Sequence, residues 1–155
     1  MLTFHVLLSL VMLLPGVVIV AAMFDSRVPR TWTAAYLVLA VLTSATGFLL
    51  PAPGFLPSHA VGILSLILLG AAIVSLYVFH LVGAWRWIYA ISIVLSLYFD
   101  VFVAVVQAFQ KISFLNPLAP TGSEPPFAIA QSIVLVIAIA LCVLAFRRFR
   151  PMATA

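Results

Sequence analysis

The side chains able to do chemistry in this sequence are few, and helical periodicity gathers several of them on one face. Asp100 is the most informative. It lies slightly beyond the middle of the apolar run 85–110, where an acidic group costs roughly 2.5–3.5 kcal/mol to insert into a bilayer. Such a residue is expected to face a bundle interior, a partner or a water-filled cavity. At 100° per residue, Tyr89, Ser96, Asp100, Gln107 and Lys111 fall within a stripe about 60° wide, so one polar face leads from the midplane to the helix end. Asp100 then has two candidate roles. It centres a ligand, ion or proton site, or it is protonated and hydrogen-bonded to Thr43, Thr46 or a tyrosine, serving helix packing.

Around that stripe, His59, Glu124 and Gln131 are expected to form a polar rim. His5 and His59 both belong at the Lys111 end of the chain's crossings. With Glu124 they would supply two imidazoles and a carboxylate for a metal, and by themselves two axial ligands for a haem. Their spacing matches no metal motif, and capping or hydrogen bonding to the loop 111–126 is the simpler role. Glu124 precedes an apolar run, where the helix dipole favours an acid. Its alternative is an ion pair with Lys111 that closes a lid. The sequence requires no cofactor. The single cysteine, Cys142, sits in an apolar run without ligand neighbours. Nucleotide-binding, zinc-hydrolase, serine-hydrolase and dithiol motifs are all missing from the sequence, which favours a non-enzymatic protein.

These residues are carried by a chain that is 66% hydrophobic and 6% charged over 155 residues, with a mean hydropathy of +1.36. A soluble domain carries about 25% charged residues, so lipid must be the main solvent. The expected fold is all-α: a single membrane domain, 1–155, of five transmembrane helices at about 2–24, 32–50, 59–81, 85–110 and 127–146. Each run is too long and too continuous for a barrel strand. The first lacks a charged n-region and is read as a retained helix rather than a signal peptide. Pro15 and Gly16 should kink it. Turn chemistry marks the breaks at 25–30, 51–57 and 111–126, with Ser58 placed to cap the third helix. A short turn at Gly83 makes the third and fourth helices a hairpin. Proline in a first turn marks the start of the fifth. Small residues, Gly62, Ser65 and Gly70 on the third and Thr43, Ser44 and Gly47 on the second, would put those two helices at the bundle centre.

Five crossings place Arg27, Arg30, Arg86, Arg147, Arg148 and Arg150 on one side and Lys111 on the other. The positive-inside rule then puts the C-terminus in the cytoplasm and the N-terminus outside. The basic residues cluster at helix ends rather than in a stripe, which excludes nucleic acid as a partner despite the pI near 9.9. His80, Trp85 and Trp87 read as interfacial anchors, and 147–150 as a stop-transfer cluster near anionic lipid heads.

The stretches Thr46-Gly47-Phe48-Leu49-Leu50-Pro51 with Ser58-His59-Ala60-Val61-Gly62, and Leu118-Ala119-Pro120-Thr121-Gly122-Ser123-Glu124-Pro125-Pro126-Phe127, resemble a family of small bacterial multi-pass membrane proteins to which no activity is attached. The resemblance covers the second to fifth helices. It implies the bacterial inner membrane and carries no catalytic role. The expected function is therefore non-enzymatic. An outward-facing pocket built on Asp100, Gln107 and Lys111 would bind an amphipathic lipid, quinone or isoprenoid. Other roles consistent with the sequence are a proton-coupled transporter or permease subunit using Asp100, a haem- or metal-binding redox protein, and an accessory subunit of a larger membrane complex. Membrane lipids are the expected partners, with a homo-oligomer or a larger assembly also compatible.

Overall fold

The computed structural model describes residues 2–50, 54 and 57–151. Among them there is no strand, and five helices are long and apolar enough to cross a membrane: Phe4–Met23, Arg30–Phe48, Ser58–Val78, Trp85–Lys111 and Pro125–Arg148. The expected break at 51–57 lies, apart from Gly54 and the backbone of Pro57, outside the described residues.

The first crossing is made of α1 (Leu2–Val11) and α2 (Leu13–Met23), interrupted at Met12. Where a kink is expected at Pro15 and Gly16, the helix is interrupted one turn earlier. Proline has no N–H to give to the carbonyl four residues back, and its ring crowds that carbonyl, here Val11. The second crossing is α3 (Arg30–Phe48). The third is α4 (Pro57–Ile73), extended by a π-helical turn, Val74–Val78. Because α4 begins at Pro57, Ser58 sits inside its first turn rather than at the cap. The fourth, α5 (Trp85–Lys111), and the fifth, α6 (Pro125–Arg148), complete the bundle, with Pro125 and Pro126 in the first turn of α6 as expected.

The hairpin between the third and fourth crossings needs more than Gly83. His80, Leu81 and Gly83 all take left-handed backbone conformations, with φ of 48°, 60° and 59°. The Leu81 N–H reaches back to the Ser75 carbonyl at 2.9 Å, closing the widened end of the helix. Phe79 and Trp85 stack across the turn at 3.8 Å.

Helix order in space differs from the small-residue expectation. The first and fourth crossings are each 39% buried, against 28% and 22% for the second and third. α5 is the central helix and packs on α2, α4 and α6. The small residues of α4 do not all mark packing: a Cβ added at Gly70 would meet no atom within 4 Å. A Cβ at Gly16 would meet Leu97 Cδ1 at 2.8 Å and Tyr36 Cε2 at 3.0 Å. Gly16 is therefore a position where side chains of α3 and α5 press close on the α2 backbone.

The tight core lies towards the end that carries the arginines. Ile19 and Met23 of α2, Tyr36 of α3, Ala72 of α4 and Tyr89 and Ile93 of α5 are all fully buried there. Phe149 is fully buried as well and packs on Tyr89 at 5.8 Å. The basic run 147–150 is thus more than a stop-transfer signal, because its aromatic residue closes the core. Ser26 secures this closure. Its Oγ donates to the Arg148 carbonyl and accepts from the Arg150 N–H, each at 3.0 Å.

Candidate functional site

The opposite, Lys111 end is not filled. A cavity of about 420 Å³ opens between α1, α3, α4 and α5. Four of the residues expected to build a pocket line it: Asp100, Gln107 and Lys111 from α5, and His59 from α4. His5 lines it from α1.

Asp100 sits deepest on α5. Its Oδ2 accepts a hydrogen bond from the Tyr36 hydroxyl at 3.1 Å. The tyrosine among the three expected partner types is the one used. Tyr36 is fully buried, and its ring lies against the bare Gly16 backbone. The missing side chain at Gly16 gives the ring its place, and the ring aims the hydroxyl at Asp100. Asp100 Oδ1 has no hydrogen-bond partner among the described residues. Thr43, also on the wall, keeps its Oγ buried and without a partner among the described residues.

Nearer the mouth, His5 Nδ1 lies 3.0 Å from Thr46 Oγ. His59 stacks on Phe48 at 5.5 Å. Gln107 and Lys111 follow Asp100 along the same face of α5, about 10 and 16 Å further along the axis. Apolar side chains, among them Leu10, Met12 and Val103, complete the wall. An apolar shaft with a few convergent polar groups is the usual make-up of a small-molecule site.

Two expected rim residues lie elsewhere. Glu124 is bound into its own loop, accepting from the Thr121 N–H at 3.1 Å, the Thr121 hydroxyl at 2.9 Å and the Ser123 N–H at 3.0 Å. Slight desolvation raises its pKa, but these hydrogen bonds outweigh it and hold the carboxyl below its usual value. An ion pair with Lys111 is not formed: among the described residues the salt bridge present is Arg27 to Asp25, at 2.8 Å and exposed. The lid expected from Glu124 and Lys111 is therefore replaced by a self-contained turn. Gln131 joins two helices instead of lining a rim, donating from Nε2 to the Phe102 carbonyl at 3.1 Å. With Glu124 committed to its loop, the triad of His5, His59 and Glu124 is not assembled. Among the described residues no group of three His, Cys, Asp or Glu side chains could hold a metal.

A second depression, about 660 Å³, runs along α6 beside Ile129, Ile133, Val136 and Ile137. It is broadly open and bordered by aliphatic side chains of one helix, so it belongs to the lipid-facing surface. Sequence reasoning did not single out Ser9, which lines the cavity, or Tyr36 as the specific partner of Asp100. Only contact across helices reveals these; both residues look like ordinary helix positions in the sequence. Comparison of the chain with protein-family models, curated proteins and solved structures gives no match.

Proposed function

We propose that the protein is a non-enzymatic binding protein of the bacterial inner membrane. Its N-terminus lies outside and its C-terminus in the cytoplasm, and the cavity opens towards the outer leaflet. It holds the head of an amphipathic small molecule of lipid, quinone or isoprenoid type, with the tail leaving along the apolar wall. The observation that carries this reading is the shared lining of one cavity by Asp100, Gln107, Lys111 and His59.

A proton-coupled permease is less well supported, because Asp100 would need access from both ends. Towards the arginine end it is backed by Tyr36, Tyr89 and Ile93, all fully buried. The asymmetry of Arg27, Arg30, Arg86 and Arg147 against Lys111 supports the orientation.

Native mass spectrometry of the full chain in a mild detergent tests this. A persistent added mass is expected on the wild type. In Asp100→Asn its occupancy should fall about tenfold at equal folding, since a carboxylate acceptor deep in the cavity is replaced by a weaker amide one. Undiminished occupancy in that variant would remove Asp100 from the site, and a bare wild-type protein would remove the binding function.

A further inference from the structure

Two hydroxyl protons on one side of the cavity, those of Ser9 and Thr46, are already committed, and this restricts the head group that fits there. Ser9 donates its hydroxyl proton to the Val6 carbonyl at 2.8 Å. Thr46 donates to the Leu42 carbonyl at 2.8 Å, with the Thr43 carbonyl 3.2 Å away. A hydroxyl has one proton. The shortest contact, to Leu42, takes that proton, which leaves Thr46 Oγ to accept from His5 Nδ1, 3.0 Å away. The neutral His5 ring then carries its proton on Nδ1 and leaves Nε2 as a bare acceptor.

His5 Nε2 and Ser9 Oγ thus bring lone pairs to the cavity they line, and Asp100 adds Oδ1, which has no partner among the described residues. Fixed positive charge is confined to Lys111, at the mouth. A quinone or ester head would set its own lone pairs against those of His5, Ser9 and Asp100, and would be left with donors elsewhere on the wall, such as the Thr43 hydroxyl and the Gln107 amide. An ammonium head would have to pass Lys111. A head bearing several hydroxyls satisfies the acceptors and carries no charge past the lysine.

Resting on the binding function proposed above, we infer that the ligand is a neutral polyhydroxyl amphiphile, with a glycerol- or sugar-like head, and that Thr46 sets its selectivity by fixing the His5 tautomer. Thr46 is a positioning residue, acting through His5.

The experiment uses the full chain in a zwitterionic detergent, titrated with a monoacylglycerol and with the same lipid methylated on both hydroxyls. Binding is read by native mass spectrometry. The diol is expected to bind about tenfold or more tightly, because the ether leaves enclosed acceptors unpaired. Thr46→Val keeps the side chain's shape behind His5 but releases the tautomer, and the preference should shrink at least about threefold. In the wild type, nitrogen NMR of labelled histidine, assigned through His5→Gln, should show His5 protonated on Nδ1 alone. This measurement stands even where Thr46→Val does not fold.

Protonation on Nε2, or equal binding of diol and ether, overturns the inference. Retention of a copurified acceptor-only or cationic amphiphile in place of the diol also overturns it, and leaves the cavity as a binding site. Absence of any bound amphiphile overturns both the inference and the binding function.

Discussion

Ala90 and Ala104 lie fourteen residues apart on α5, about four turns and close to the same face. Ala90 is fully buried, in contact range of the core closed by Phe149. Ala104 lines the cavity. One continuous helix therefore serves a packed half at the arginine end and an open half at the Lys111 end. The difference comes from its neighbour. α2 packs along α5, held close by Gly16, whereas α1, beyond the interruption at Met12, makes far less contact with it. The backbone hydrogen bond that Pro15 cannot make is thus linked to the space in which Asp100 and His5 sit. Polar side chains follow the same division. Thr33, Ser75, Ser92 and Ser96 are shut inside the packed half, while His5, Gln107 and Lys111 border the open one.

The largest test of this contrast places the same substitution at both positions. Ala90→Phe should cost about 3 kcal/mol or more through overpacking, read as loss of the folded, monodisperse protein or a steep fall in thermal midpoint. Ala104→Phe should leave the midpoint unchanged or raise it, since the ring enters existing space. It should also abolish retention of the cavity's ligand. Equal damage at both positions would mean that the open half is packed after all.

Next in size is Pro15→Ala. Restoring an N–H to the interrupted turn should raise stability by about 1–3 kcal/mol, within the cost of an interior proline. If the interruption holds the cavity open, ligand occupancy should fall several-fold in the same variant. A gain in stability with unchanged occupancy would separate the kink from the cavity.

Much of this division was legible in the sequence, though unevenly. Length and apolarity located all five crossings to within a few residues, because a bilayer imposes one length on every helix. The stripe from Asp100 to Lys111 identified one cavity wall, because side chains on one rigid helix keep their spacing. The central helices were misjudged. Small residues permit close approach without requiring it, and Gly70 faces open space while Gly16 touches Tyr36 and Leu97. Glu124 and Gln131 were placed on a rim because their helix starts at the same end. Their partners, the Thr121–Ser123 turn and the Phe102 carbonyl, depend on loop conformation and helix rotation, which periodicity does not carry. Phe149 was hidden among three arginines, whose charge dominated the reading of that segment.

A smaller effect separates the ends by how they are fastened. Ser26→Ala removes both hydrogen bonds to the C-terminal segment and puts a Cβ without a polar group at a φ of 56°. A loss of about 1 kcal/mol is expected, with faster hydrogen exchange at Arg150 and no change in ligand occupancy. A change in occupancy would show that the two halves are coupled through the bundle rather than independent.

The smallest effect concerns Glu124, which shares an end with the cavity yet has its own hydrogen bonds. Its folded pKa is depressed, so its contribution is held in full above the ordinary carboxylate value and is lost as pH falls through the depressed folded value. Protection of the Thr121 and Ser123 amides should decline over that acidic range, and Glu124→Gln should remove the pH dependence. At neutral pH the same variant should retain the cavity's ligand as the wild type does, because the carboxylate is engaged by Thr121 and Ser123. Loss of ligand in Glu124→Gln at neutral pH would instead make this turn a lid. The open half would then extend beyond α1, α3, α4 and α5 to the loop before α6.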